Sequence, residues 1–261
     1  MEVPRHGSSS KDCTLASAAS RLWGTRLWTT GFLSLEELEA LEAAALPDRS
    51  YGPGSVLIRE GETADTVFIV IDGWAYRYAT TREGGRQLPA LLVPGDIGNL
   101  DALMFDRLDY GVQAITQVTV LGLPRDRLRL LFAQHPGIAR TFTWLAMVEN
   151  TILSRWALSL CRRGALERLA HLLCELSVRL DGEEGDASRF AFPLTQEQIA
   201  DTLGLTSVHV NRMMQTLKSW RLVVTSSRNM TIPAVAELRR FSGFDPSYLH
   251  VTPVVRSRPA G

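Results

Sequence analysis

The chain has 261 residues, 28 Lys+Arg against 28 Asp+Glu, and 45% hydrophobic residues, which suits one large or two ordinary globular domains and excludes a disordered or fibrous chain. Its three cysteines, Cys13, Cys161 and Cys174, are too scattered for a disulfide framework and match no zinc or iron–sulfur spacing, so a cytoplasmic location is expected. No apolar run reaches the roughly 18–20 residues of a membrane helix and residues 1–20 show no secretion signal, so no membrane partner is expected; zero net charge still hides any local basic patch.

Residues 1–33 mix Ser, Thr, Ala and Gly without a sustained period and read as a flexible tail. Leu35, Leu38 and Leu41, with Glu at 36, 37, 39 and 42, predict a short amphipathic helix that starts at Ser34 and ends near Pro47. Ten of the 20 glycines fall between Gly52 and Gly122. The apolar or β-branched stretches between them, at 56–58, 67–71, 88–93 and 112–121, predict short strands closing into a barrel or roll, with Arg82-Glu83-Gly84-Gly85-Arg86 as a hairpin tip. The roll and its flanking helices span 34–135.

Past Pro124 the period becomes helical. Leu128, Leu131 and Phe132 mark a short helix, and residues 136–162 contain no proline or glycine after Gly137, which predicts one long helix. Ile138, Leu145 and Ile152 recur every seven residues, supported by Phe142, Val148 and Trp156. That stripe is read as the seam of a homodimer, against the alternative of a helix packed only on its own domain. A further helix, 165–180, precedes an acidic, glycine-containing loop at 181–186.

Residues 195–214 have the spacing of a helix-turn-helix inside a unit spanning 163–245, with 246–261 as a second flexible tail. Thr195 caps the first helix with Gln198 three residues on; Ala200 is small where two helices cross; Gly204 supplies the positive φ of the turn; Thr206 caps the second helix. Ile199, Leu203, Leu205, Val210 and Met213 supply a shared core, while Asn211, Arg212 and Gln215 can reach base edges or phosphates. From Thr206 to Arg240 there are six cations (Arg212, Lys218, Arg221, Arg228, Arg239, Arg240) and one anion, Glu237. Leu222-Val223-Val224, a turn at 226–229 and Met230-Thr231-Ile232 predict a wing with Arg228 near its tip, facing the phosphate backbone.

Together, the segments Gly52-Pro53-Gly54-Ser55-Val56-Leu57, Pro94-Gly95-Asp96-Ile97-Gly98 and Leu205-Thr206-Ser207-Val208-His209-Val210-Asn211-Arg212, with the long helix, make the chain resemble the Crp/Fnr family of bacterial transcription regulators over most of 35–240. The resemblance implies an α+β fold: a cyclic-nucleotide-binding-like β-roll, a dimerisation helix and a C-terminal winged helix-turn-helix. It implies a homodimer on double-stranded DNA with a two-fold-symmetric site, RNA polymerase as a further partner, and an unknown small-molecule effector at the roll. Ser207, Val208 and Arg212 would face bases, Thr206 and His209 would lie near phosphates, and Gln196, Lys218 and Arg228 complete the contact set.

In the family, the roll holds a cyclic nucleotide through a Glu after the phosphate-loop Gly and a later Arg followed by Ser or Thr. This chain has Gly98-Asn99-Leu100 and Asp109-Tyr110 there, and an Asp facing a phosphate repels it, so cAMP is disfavoured at those five positions, the candidate effector pocket. An iron–sulfur cluster of the family's type is disfavoured because only Cys13 lies near the N-terminus, placing the chain nearest a subgroup using neither. Haem is left open, since a single His or Cys axial ligand leaves no sequence signature. No histidine lies between Gly52 and Gly122, so no metal site of cupin type is predicted, and no set of catalytic residues points to an enzyme. The alternative function is a small-molecule or redox sensor whose helical C-terminal region binds a protein.

Overall fold

The computed structural model describes Leu22, residues 25–182 and residues 185–251. The chain opens with a single helical turn, α1 (Arg26–Thr29), and α2 (Leu35–Ala44). Ser34 caps α2 by accepting the Glu37 N–H while the Glu37 carboxylate accepts the Ser34 N–H, a closed capping box. The expected tail over 1–33 is corrected for its described part: Leu22, Leu27, Trp28 and Leu33 are buried in the core of the roll. These apolar residues are too sparse to show a period, and only docking orders them.

The roll consists of two antiparallel sheets. One has the order β1-β7-β3, built from β1 (Arg49–Tyr51), β3 (Thr66–Asp72) and β7 (Val118–Pro124); the other has the order β2-β6-β4-β5, built from β2 (Val56–Ile58), β4 (Ala75–Thr80), β5 (Arg86–Leu92) and β6 (Gly111–Ala114). The stretch expected as one strand over 112–121 is two, because after Ala114 the chain leaves the second sheet and joins the first. A 3-10 turn, Leu100–Leu103, crosses the mouth of the roll. Then come α3 (Arg125–Gln134) and the long α4 (Pro136–Arg162).

The C-terminal unit comprises α5 (Ala165–Asp181), β8 (Ser188–Ala191), α6 (Gln196–Leu203), α7 (Ser207–Ser219), β9 (Val224–Ser226), β10 (Asn229–Ile232) and α8 (Val235–Ser242). The wing is a three-stranded sheet, β8-β10-β9, rather than a bare hairpin. The second expected tail is also corrected in its described part: Pro246–Leu249 form a 3-10 turn with Tyr248 and Leu249 buried.

One core fills the roll and takes in Phe142 and Leu145 of α4. The other combines the helix-turn-helix with Trp74, Tyr76, Leu88, Leu91 and Val93 from the outer side of the second sheet. The reading unit is therefore packed on the roll of its own chain. At the rim, Arg86 Nε donates to Asp201 at 2.7 Å and Gln87 donates to the Thr202 carbonyl at 3.1 Å, so the β4–β5 hairpin grips α6.

Candidate nucleic-acid interface

Each turn of the interface has a local cause. Thr195 accepts the Gln198 N–H at 3.1 Å and Gln198 Oε1 accepts the Thr195 N–H at 2.9 Å, fixing the start of α6. Gly204 ends it with φ +61°, a left-handed conformation that a side chain would strain, and the Leu205 N–H closes the turn on the Ala200 carbonyl at 3.0 Å. Thr206 starts α7 by accepting the His209 N–H at 3.2 Å. Val210, Met214 and Leu217 then face inward onto Ile199, Ala200 and Leu203.

That orientation leaves the other side of α7 open. Ser207, Val208, Asn211, Arg212 and Gln215 are exposed and, with half-buried Gln196, line a shallow concavity that contains no carboxylate. The partial positive charge of the α7 N-terminus adds to Arg212 in attracting an anionic backbone. His209 and Lys218 are half-buried at the border of this face, and Thr206 is exposed. At the wing, Ser227 and Arg228 both take left-handed φ values, +46° and +64°, and Phe192 N–H holds the Arg228 carbonyl at 2.8 Å. The Arg228 side chain projects from that anchored turn into solvent. The α7 residues and Gln196 thus form one face, with Arg228 at the tip of the adjoining wing.

The candidate effector pocket is corrected. Asn99 is 0% exposed, and its amide accepts the Phe68 N–H at 3.0 Å and donates to the Thr66 carbonyl at 2.8 Å. A Cβ on Gly98 would lie 2.0 Å from the Phe68 ring, so that glycine is required by packing. Tyr110 is buried and donates to Asp101, while the Arg77 guanidinium stacks on its ring at 4.9 Å. Arg77 also pairs with Glu149 of α4 and donates to the Gly98 and Ile97 carbonyls. Burial opposes its charge, but Glu149 together with Tyr110 and Asp101 raises its pKa. Asp109 is exposed and faces outward. Arg107, beside them, is likewise exposed and donates to the Gly61 carbonyl at 3.5 Å. The residues present do not fit a cyclic nucleotide: the phosphate-loop positions are spent on holding the roll together. Of the five, Leu100 lines a cleft of 510 Å³ between the Leu100–Leu103 turn and α4.

The dimer-seam residues are corrected too. Ile138, Phe142, Leu145, Val148 and Trp156 are buried within the chain and Ile152 is half-buried, so this stripe packs on the roll and α5. The opposite face of α4 exposes Thr143, Met147, Asn150, Ser154, Ala157 and Cys161, which alternate in steps of four and three. Sequence reasoning overlooked that face because it is mostly small and polar. It also missed a buried chain of charges: Asp96, Arg179 and Glu175, joined by Trp156 Nε1 and the Tyr248 hydroxyl, which donate to Glu175 at 2.8 and 2.7 Å. The available signal was Glu175 itself, an acid inside the apolar run Leu172-Leu173-Cys174-Glu175-Leu176.

Comparison with known proteins agrees with this geometry. The Crp-like helix-turn-helix domain family matches residues 167–241 and the cyclic nucleotide-binding domain family matches residues 48–135. The chain is 31% identical over 174 residues to the transcriptional activatory protein AadR of Rhodopseudomonas palustris, covering 67% of this chain and 72% of AadR. It is 24% identical to the transcriptional activator protein Anr of Pseudomonas protegens, covering 89% of this chain and 92% of Anr. The structure of FixK2 from Bradyrhizobium japonicum superposes with a TM-score of 0.69 at 24% identity, over 76% of this chain and 98% of FixK2. With a roll, a long helix and an outward-facing α7 in that order, the chain belongs to the Crp/Fnr family of DNA-binding transcription regulators.

Proposed function

We propose that the chain acts in the cytoplasm as a homodimer that reads a two-fold-symmetric duplex site with α7 of each protomer, and that it activates transcription by contacting RNA polymerase. The carrying observation is the exposed, carboxylate-free face of α7. Gln196, Thr206, Ser207, Val208, His209, Asn211, Arg212, Gln215, Lys218 and Arg228 are its DNA contacts, with Arg212 on a base edge and Arg228 on a phosphate. The names of AadR and Anr, both activators, favour activation over repression.

The protomers meet along Thr143, Met147, Asn150, Ser154, Ala157 and Cys161, with Leu153 and Leu158 at the flanks. The 4-3 spacing is the knobs-into-holes spacing of two parallel helices. Neither cAMP nor an iron–sulfur cluster is its cofactor. The interior around Asn99 and Tyr110 supports the first statement; the second rests on the sequence, where only Cys13, which lies outside the described residues, is near the N-terminus. An effector, a small molecule, is accommodated instead in the cleft bordered by Leu100, Leu103, Phe142, Glu149 and Leu153.

The test is a titration of the full-length protein against duplexes selected from a random library. Binding is expected to be salt-dependent and sequence-selective, and Arg212→Ala is expected to lose most of the selectivity. Equal binding of selected and random duplexes by the parent protein overturns the reading.

A further inference from the structure

We infer that Val208 is a specificity-determining residue that recognises the C5 methyl group of a thymine, next to the base read by Arg212, in each half of the target site. The inference rests on the proposed reading of α7 as the major-groove helix, and it names what that helix selects.

Val208 is 70% exposed, an apolar side chain on a face whose other members, Gln196, Ser207, Asn211, Arg212 and Gln215, are all polar. Several other strongly exposed apolar residues have apolar company: Met104 lies beside Phe105, Met147 shares the open face of α4 with Leu153 and Leu158, and Trp220 stacks edge-on against Phe241. No such patch surrounds Val208, so a protein partner would gain little apolar contact there. A groove edge offers one apolar group, the thymine methyl.

Geometry narrows the choice further. Val208 sits in the first turn of α7, where Thr206 and Ser207 are also exposed, and Arg212 follows one turn later on the same side. Residues four apart on a helix lie about 6 Å from each other, and base pairs stack about 3.4 Å apart, so the two side chains address positions within two base pairs. A β-branched side chain in a helix holds a single rotamer, so the valine methyls are presented rigidly. Opposite any polar base edge Val208 would strip away water without offering a partner, which costs free energy. Opposite a thymine methyl it buries apolar surface on both sides.

The experiment uses the full-length protein and a symmetric site recovered from a random duplex library. Each thymine is replaced in turn by deoxyuridine, which removes only the methyl group. The expected result is one position per half-site, within two base pairs of a guanine whose replacement Arg212→Ala no longer senses, at which uracil weakens binding about fourfold, and roughly tenfold or more when both halves are changed. In Val208→Ala, whose side chain is two methyl groups shorter, the penalty for uracil at that position should be clearly smaller than in the parent. Placing 5-methylcytosine at that position should bind the parent better than cytosine does. A flat uracil scan, or the same uracil penalty in Val208→Ala, overturns the role of Val208 while leaving the reading helix intact. Failure to recover any enriched sequence overturns the reading of α7 itself and this inference with it.

Discussion

Arg179, on the first helix of the reading unit, and Asp96, in the turn that closes the roll, form an ion pair buried on both sides, at 5% and 7% exposure. Arg26, from the N-terminal segment, holds the other Asp96 oxygen at 3.0 Å, and the Val93 N–H donates to the carboxylate at 2.8 Å. Arg179 reaches on to Glu175 at 3.2 Å and to the Leu91 carbonyl at 2.8 Å. Through Trp156 and Tyr248, which donate to Glu175, this chain ties the roll, α4, α5 and the C-terminal turn into one body. The 95–98 turn and α5 are thus joined by a continuous buried path of ion pairs.

Breaking this pair from one side leaves a charge buried without its partner. Arg179→Met is expected to lower unfolding free energy by about 3–5 kcal/mol, and Arg179→Met combined with Asp96→Leu and Glu175→Gln to recover part of that loss, because Glu175, which also pairs with Arg179, would otherwise stay buried as a charge without its cation. Urea titrations of the parent and the two variants measure it. Burial alone would raise the Asp96 pKa, but Arg179, Arg26 and the Val93 N–H together hold the carboxylate below its ordinary value. The folded state thus favours the ionised form, and the stabilisation is complete above about pH 4 and lost as acid titrates the folded carboxylate. An acid unfolding curve unchanged in Asp96→Asn would contradict this.

His171 titrates in the same direction for a different reason. Its ring is 3% exposed, stacked on Tyr248 at 6.0 Å and edge-on to Phe244 at 5.0 Å. Burial, reinforced by Arg163 and Arg155, pushes its pKa down to about 3. An unfolded histidine takes up its proton near pH 6.5, whereas the folded one stays neutral far below that, so stability falls as pH drops from about 6.5 toward 3. Between pH 7 and 5 the expected loss is about 2 kcal/mol. His171→Phe should flatten that part of the stability profile measured by denaturant titration.

These two networks also mark where the sequence stopped being legible. The helix-turn-helix was readable because its signals are local: the Thr195–Gln198 box, Gly204 at its turn and the Thr206 cap each act within four residues. The long helix was readable because Pro136 begins it and no breaker interrupts it. Its orientation was not. The apolar stripe through Ile138, Phe142 and Leu145 fits a partner helix or the chain's own roll equally well, and only tertiary packing assigns it to the roll. The strand Ala75–Thr80 was hidden by Arg77, whose charge marks an exposed loop in sequence but is buried here against Tyr110 and Glu149. Asn99 likewise looked like a vacated ligand position, whereas its amide clamps two strand carbonyl and amide groups.

The open face of α4 yields a prediction about assembly. Two copies related by a parallel two-fold axis would bring each Cys161 next to its counterpart, since equivalent positions of a parallel pair face one another. Mild oxidation of a Cys13→Ser variant should then give a covalent dimer on non-reducing electrophoresis, and Cys161→Ser should abolish it. Met147→Glu, placing two like charges across the axis, should weaken dimerisation at least about tenfold by sedimentation or light scattering. A Phe142→Ala variant should instead unfold more easily, by about 3–5 kcal/mol, because Phe142 belongs to the core of its own chain.

Arg212 and Arg228 should separate base reading from backbone binding. Arg212 stands in the concavity of α7, where a guanidinium meets base edges, so Arg212→Ala should cost about 1–3 kcal/mol per half-site on the selected duplex and little on random DNA. Arg228 stands on the anchored wing turn, outside that concavity, where a phosphate is the accessible partner. Arg228→Ala should therefore weaken selected and random duplexes by similar factors. It should also reduce the slope of log K against log salt by about 0.9 for each wing, and so by about 1.8 for a dimer. The measurement is a pair of salt titrations for each variant. If Arg228→Ala relaxes base preference while Arg212→Ala shifts only the salt slope, the two residues have exchanged roles, and the wing rather than α7 enters the groove.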